Sequence, residues 1–63
     1  MSAKLEALVE EVSTILEEVK NDTKKFSEKG NNAAGTRVRT GSMAIIKKLG
    51  EVRKEVSNIK NNQ

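Results

Sequence analysis

The 63-residue chain has no cysteine, histidine, proline, tryptophan or tyrosine, and only one phenylalanine. Without Cys and His it has no disulfide, no thiol nucleophile, no zinc-finger ligand set and no imidazole general base. No Gly-rich phosphate loop of the GxxxxGKS/T type occurs, and Ser and Lys alone form no recognisable nucleophile–base arrangement. The expectation is therefore a protein that is not an enzyme and uses no metal, cofactor or small-molecule substrate. The absence of Cys also fits a reducing compartment. No apolar run approaches the roughly 18–20 residues of a membrane span, and no signal-peptide pattern opens the chain. A soluble, cytoplasmic protein with no membrane partner is expected. One aromatic residue is too few to stack successive bases of a single strand, so Phe26 is expected in the core.

The lack of proline, together with 33% charged residues, suits long helices. Nothing alternates with a period of two for long enough to suggest a sheet. The fold class expected is all-α, an antiparallel two-helix hairpin forming one domain over residues 1–63. A chain this short is marginal alone and usually relies on disulfides, a metal or a partner subunit. With the first two removed, oligomerisation remains.

The apolar residues show where the helices run. Ser2 is a plausible N-cap for a helix over residues 3–29. Leu5, Val12, Val19 and Phe26 then fall at heptad position a, and Leu8 and Ile15 at d. Val9 and Leu16 fall at e, which widens the stripe beyond a two-stranded seam. Asp22 and Thr23 interrupt it near its end. Lys29-Gly30 ends the helix, with Gly supplying a left-handed residue and Lys favouring the negative end of the dipole. Residues 30–32 form the turn, with Asn31 or Asn32 capping a second helix over 33–60. Its core positions are Val38, Ile45, Leu49, Val52, Val56 and Ile59. Ala34, Gly41 and Ser42 lie beside them and let a neighbouring backbone come close, while Gly41 weakens the helix locally. Asn61-Asn62-Gln63 is expected to fray. One helix cannot cover so wide a stripe on its single neighbour, so two hairpins are expected to pair as a homodimeric four-helix bundle with two-fold symmetry.

Net charge is only +3, but its distribution is uneven. Over residues 1–19, Lys4 stands alone against Glu6, Glu10, Glu11, Glu17 and Glu18. Over 20–48, Lys20, Lys24, Lys25, Lys29, Arg37, Arg39, Lys47 and Lys48 face only Asp22 and Glu28. Folding back at Gly30 makes one end of the hairpin basic, a distribution that steers a polyanion to that end.

Arg37 and Arg39 flank Val38, with Lys48 on the flank of Arg37 and Arg53 on that of Arg39. In many bundles such arginines are solvated charges bordering a hydrophobic stripe. Here they lie in the first turns of a helix, where the dipole disfavours cations unless an anion is near. The small residues Ala33, Ala34 and Gly35 would let a phosphate approach the helix N-terminus. Arg37 and Arg39 would chelate its oxygens, and Lys24, Lys25 and Lys29 would supply point charges. The candidate DNA-binding set is thus Arg37, Arg39, Lys24, Lys25, Lys29, Lys48, Asn31 and Asn32, holding the duplex backbone without reading bases.

Several segments carry a family resemblance: Ile15-Leu16-Glu17, Glu28-Lys29-Gly30-Asn31, Ala33-Ala34, Arg37-Val38-Arg39-Thr40, Ser42 and Arg53-Lys54-Glu55. Between about Leu16 and Lys60 the chain resembles the N-terminal domain of the chlamydial linker-histone-like proteins, the bacterial Hc-type histones. The resemblance implies a nucleoid-associated protein that binds double-stranded DNA with little sequence preference and compacts it. Those proteins continue into a long Lys/Ala/Pro-rich basic tail, whereas this sequence stops at Gln63, which implies weaker binding or a different purpose. Gly41 also stands where the family has an acidic residue.

Two other readings remain open on sequence alone, a coiled-coil protein–protein module whose charges only keep it soluble and an RNA-binding bundle. Within the DNA-binding reading, tips at opposite ends of a dimer would bridge two duplexes, and tips together would bend or coat one.

Overall fold

The computed structural model describes residues 2–62, and these form two helices packed against each other as a hairpin, α1 (Ala3–Lys29) and α2 (Asn32–Asn61). Met1 lies outside the described residues, as does Gln63, the last of the three residues expected to fray. Capping chemistry sets most of the helix ends. The Ser2 hydroxyl accepts a hydrogen bond from the Leu5 N–H at 3.0 Å, satisfying one of the orphan donors at the start of α1. At the other end Gly30 adopts the left-handed conformation (φ 63°), and its N–H donates to the Phe26 carbonyl at 3.0 Å. Asn31 follows in extended geometry and its side-chain oxygen accepts from the Ala34 N–H at 3.0 Å. Of the two candidate caps, Asn31 is the one used, so α2 begins at Asn32. At its far end, Asn61 is still helical and the Asn62 N–H reaches the Ile59 carbonyl at 3.2 Å.

The register between the helices can be read from three ion pairs: Lys4–Glu55, Glu11–Lys48 and Asp22–Arg37. The two residue numbers add to the same total in every pair, so the antiparallel alignment holds from the chain ends to the turn. Close packing near the turn depends on small residues. Ala34 is fully buried, a Cβ added to Gly35 would fall 2.7 Å from the Phe26 ring, and one added to Gly41 would fall 2.6 Å from a Val19 methyl. Gly41 thus trades helix propensity for backbone approach, and α2 continues through it without a break.

Leu8 is buried, and Leu5, Val12, Ile15, Val19, Val38, Ile45, Val52 and Ile59 are half-buried between the helices. Four expected core residues are not covered: Leu16 is 47% exposed, Phe26 48%, Leu49 45% and Val56 38%. The cause on α2 is its rotation about its own axis. Gly41, Lys48 and Glu55 are half-buried against α1, whereas Leu49 and Val56, one residue further round, turn outward.

The hairpin consequently has two unlike edges. All three inter-helix ion pairs lie on one of them. In an antiparallel pair the e positions of the two helices share an edge opposite the g positions. With the half-buried Val38, Ile45, Val52 and Ile59 taken as a positions of α2, Leu49 and Val56 fall at e, so with Val9 and Leu16 of α1 they share the second, apolar edge.

Candidate nucleic-acid interface

The basic end of the hairpin is the turn, where the caps fix the backbone. Lys24, Lys25 and Lys29 are exposed on the last turns of α1 and line one shallow depression with Asn21 and Glu28. Arg39 is exposed two turns into α2. Among the described residues, none of these four cations has a carboxylate within 4.0 Å. They surround the end of the hairpin and do not line a single face.

Arg37 is placed differently. Its Nε lies 3.2 Å from both carboxylate oxygens of Asp22, and its Nη2 lies 3.0 Å from Oδ1. The Asp22 side chain is only 14% exposed and that of Arg37 is 52% exposed. Hydrogen bonding to Arg37 holds the Asp22 carboxyl below the usual range, helped by the nearby charges of Arg37 and Lys25 and opposed by desolvation. The same hydrogen bond raises the Arg37 guanidinium further. Lys48 is also engaged, with its Nζ 2.9 Å from Glu11 Oε2, a contact that raises its pKa. It sits near the middle of α2, well away from the turn.

The two asparagines at the turn also divide. Asn31 spends its side chain on the Ala34 N–H, while Asn32 is exposed in the first turn of α2. The approach to backbone expected over Ala33, Ala34 and Gly35 is narrower than their size suggests. Ala34 and Gly35 face α1, and their N–H groups already donate to Asn31. Asn32 and Ala33 are the small-turn residues left facing solvent, in a first helical turn that contains no acidic residue.

This end therefore combines an exposed lysine cluster with a helix N-terminus whose first turn carries no acidic residue, features that in general attract anions. The family model of the histone H1-like protein Hc1 matches residues 6–62, almost the whole chain. The chain belongs to that family. The match extends the Hc1-like region towards the N-terminus, through the glutamate-rich first half of α1 that the sequence resemblance did not cover. No curated protein and no solved structure matches the chain. Among the described residues no helix is long and apolar enough to cross a membrane.

Proposed function

We propose that this Hc1-family hairpin is a single-domain, nucleoid-associated DNA-binding protein that grips duplex phosphates through its turn end and takes part in compacting DNA. Family membership over residues 6–62 carries this reading. The exposed cations Lys24, Lys25, Lys29 and Arg39, free of carboxylate partners among the described residues, support the choice of surface. Asn32 and the α2 N-terminus add hydrogen-bond donors. Arg37, with two nitrogens committed to Asp22, holds the second helix in place near the turn and offers the rest of its guanidinium to a phosphate. Lys48 and Asn31 serve the hairpin itself. Contacts of this kind position a protein on the backbone and carry no base information.

The working unit in this proposal is a homodimer, two hairpins forming a four-helix bundle, because Val9, Leu16, Leu49 and Val56 are uncovered in the single hairpin. Retention of random-sequence duplex DNA in a gel, titrated with salt, tests the binding. Affinity should fall with a log–log slope of about −0.9 per phosphate neutralised. Replacing Lys24, Lys25 and Lys29 with Glu should abolish retention while the helical circular dichroism persists. Unchanged retention would mean the turn is the wrong surface.

A second reading is a protein–protein module without nucleic-acid binding. The pairing of Arg37 with Asp22 and of Lys48 with Glu11 favours it, since both cations have intramolecular partners. It is distinguished by the absence of DNA retention even at low salt.

A further inference from the structure

The hairpin exposes 5063 Å², whereas a folded monomer of 6.9 kDa averages roughly 4,000 Å². Its radius of gyration is 14.8 Å, against about 11 Å for a compact chain of this length. The excess is about 1,000 Å² per chain, a little above the roughly 800 Å² that each partner loses in a standard interface. One more copy of the same chain is therefore enough to account for it.

The apolar edge also has a direction. Along the axis Val56 lies nearest the chain ends, Val9 and Leu49 come next almost level with each other, and Leu16 lies further towards the turn. Ile46, 71% exposed, borders this strip. Beyond Leu16 the edge turns polar, with Ser42 and Thr23 on it and Lys20 and Arg39 bordering it at one level, before the half-exposed ring of Phe26 over Gly35 near the turn. The continuous run from Val56 to Leu16 is thus centred near Val9 and Leu49, towards the open end of the hairpin, with Phe26 standing apart from it at the turn.

We infer that a second copy of this chain docks on the Val9–Leu16–Leu49–Val56 edge in antiparallel fashion, which puts the two turns at opposite ends of the dimer. This rests on the dimer reading above and adds the interface and its polarity. A two-fold axis across the hairpin through the Val9–Leu49 level brings Val9 level with the partner's Leu49 and Val56 level with the partner's Leu16, each pair occurring twice. A two-fold axis along the hairpin would instead bring Lys20, 3.7 Å from Glu17, and the carboxylate-free Arg39 of both copies to one level, a crowding of cations that like-charge repulsion opposes. In the antiparallel arrangement each turn extends past its partner. About 20 residues of helix separate the axis from each turn, so the turns lie about 60 Å apart at 1.5 Å per residue. A dimer of this shape presents its two basic ends to two separate duplexes.

The absence of cysteine makes the test direct. A nitroxide attached through Asn32→Cys, on the exposed turn, reports the turn-to-turn distance by pulsed electron paramagnetic resonance. Light scattering on the unmodified chain first establishes its mass. A dimer with a distance beyond about 50 Å, converted to monomer by Val9→Lys with Leu49→Lys, is the expected result. A dimer with a distance below about 30 Å overturns the antiparallel polarity and leaves the dimer reading intact. A dimer unaffected by the double lysine variant overturns the interface. A monomer at 100-fold the concentration used for DNA binding overturns the dimer reading and this inference together.

Discussion

Along one edge of the hairpin, Lys4, Glu11 and Asp22 meet Glu55, Lys48 and Arg37; along the other, Val9 and Leu16 stand beside Leu49 and Val56 with little over them. The ionic edge fixes which residue of α1 faces which residue of α2, because a slip in register would break all three pairs together. Exposed ion pairs add little net stability but specify alignment well. The apolar edge does the reverse. It specifies little within one chain, yet it carries the surface whose removal from water would contribute most. The hairpin thus takes its register from charge, while the apolar surface best able to stabilise it is on the opposite side.

The largest expected effect comes from breaking the apolar edge. Val9→Lys with Leu49→Lys should convert the proposed dimer to a monomer and greatly reduce helicity at low micromolar concentration, as measured by circular dichroism against dilution. The corresponding change on the ionic edge, Lys48→Gln with Glu11→Gln, should leave the mass unchanged. A smaller effect is expected where the edges meet the close-packed seam. Gly41→Leu drives a side chain into the space occupied by Val19 and should destabilise by about 1–3 kcal/mol, read from urea unfolding. Acid separates the edges further. The folded-state pKa of Asp22 is depressed, so its contribution is present above the ordinary carboxylate value near 4 and is lost as pH falls through the lower folded value. Asp22→Asn should flatten that acid limb of the stability profile, while Leu49→Ala should leave its shape intact. Smallest of all, Gly50 touches neither edge and has open space around it, so Gly50→Ala should raise stability by up to about 1 kcal/mol through helix propensity.

Elements governed by neighbours in sequence could be read directly. The Ser2 cap, the Lys29-Gly30 stop and the adjoining asparagine cap are contacts within a few residues, so residue type alone indicates them. Gly41 and Ala34 were readable as close-approach positions because small residues interrupt an otherwise bulky stripe. The rotation of α2 was not readable. Its apolar spacing favours Leu49 and Val56 as core, and only pairing with Glu11 and with Lys4, dozens of residues away, shows why Lys48 and Glu55 take the inner positions. The dipole argument called for a bound phosphate near Arg37. It did not indicate that Asp22, 15 positions back, provides an anionic partner. Lys24, Lys25 and Lys29 were chosen on charge alone, and the fold leaves them exposed at the turn.

Gly30 is the only described residue with a positive φ, and everything from α1 to α2 reverses there. Substituting a strong helix former at that position favours fusion of the two helices into one rod of about 60 residues, close to 90 Å long. Two such rods lying antiparallel side by side would still satisfy every α1–α2 pairing of the hairpin, each completing the other. A single peptide unit therefore separates a protein that closes on itself from one that exchanges halves with its twin.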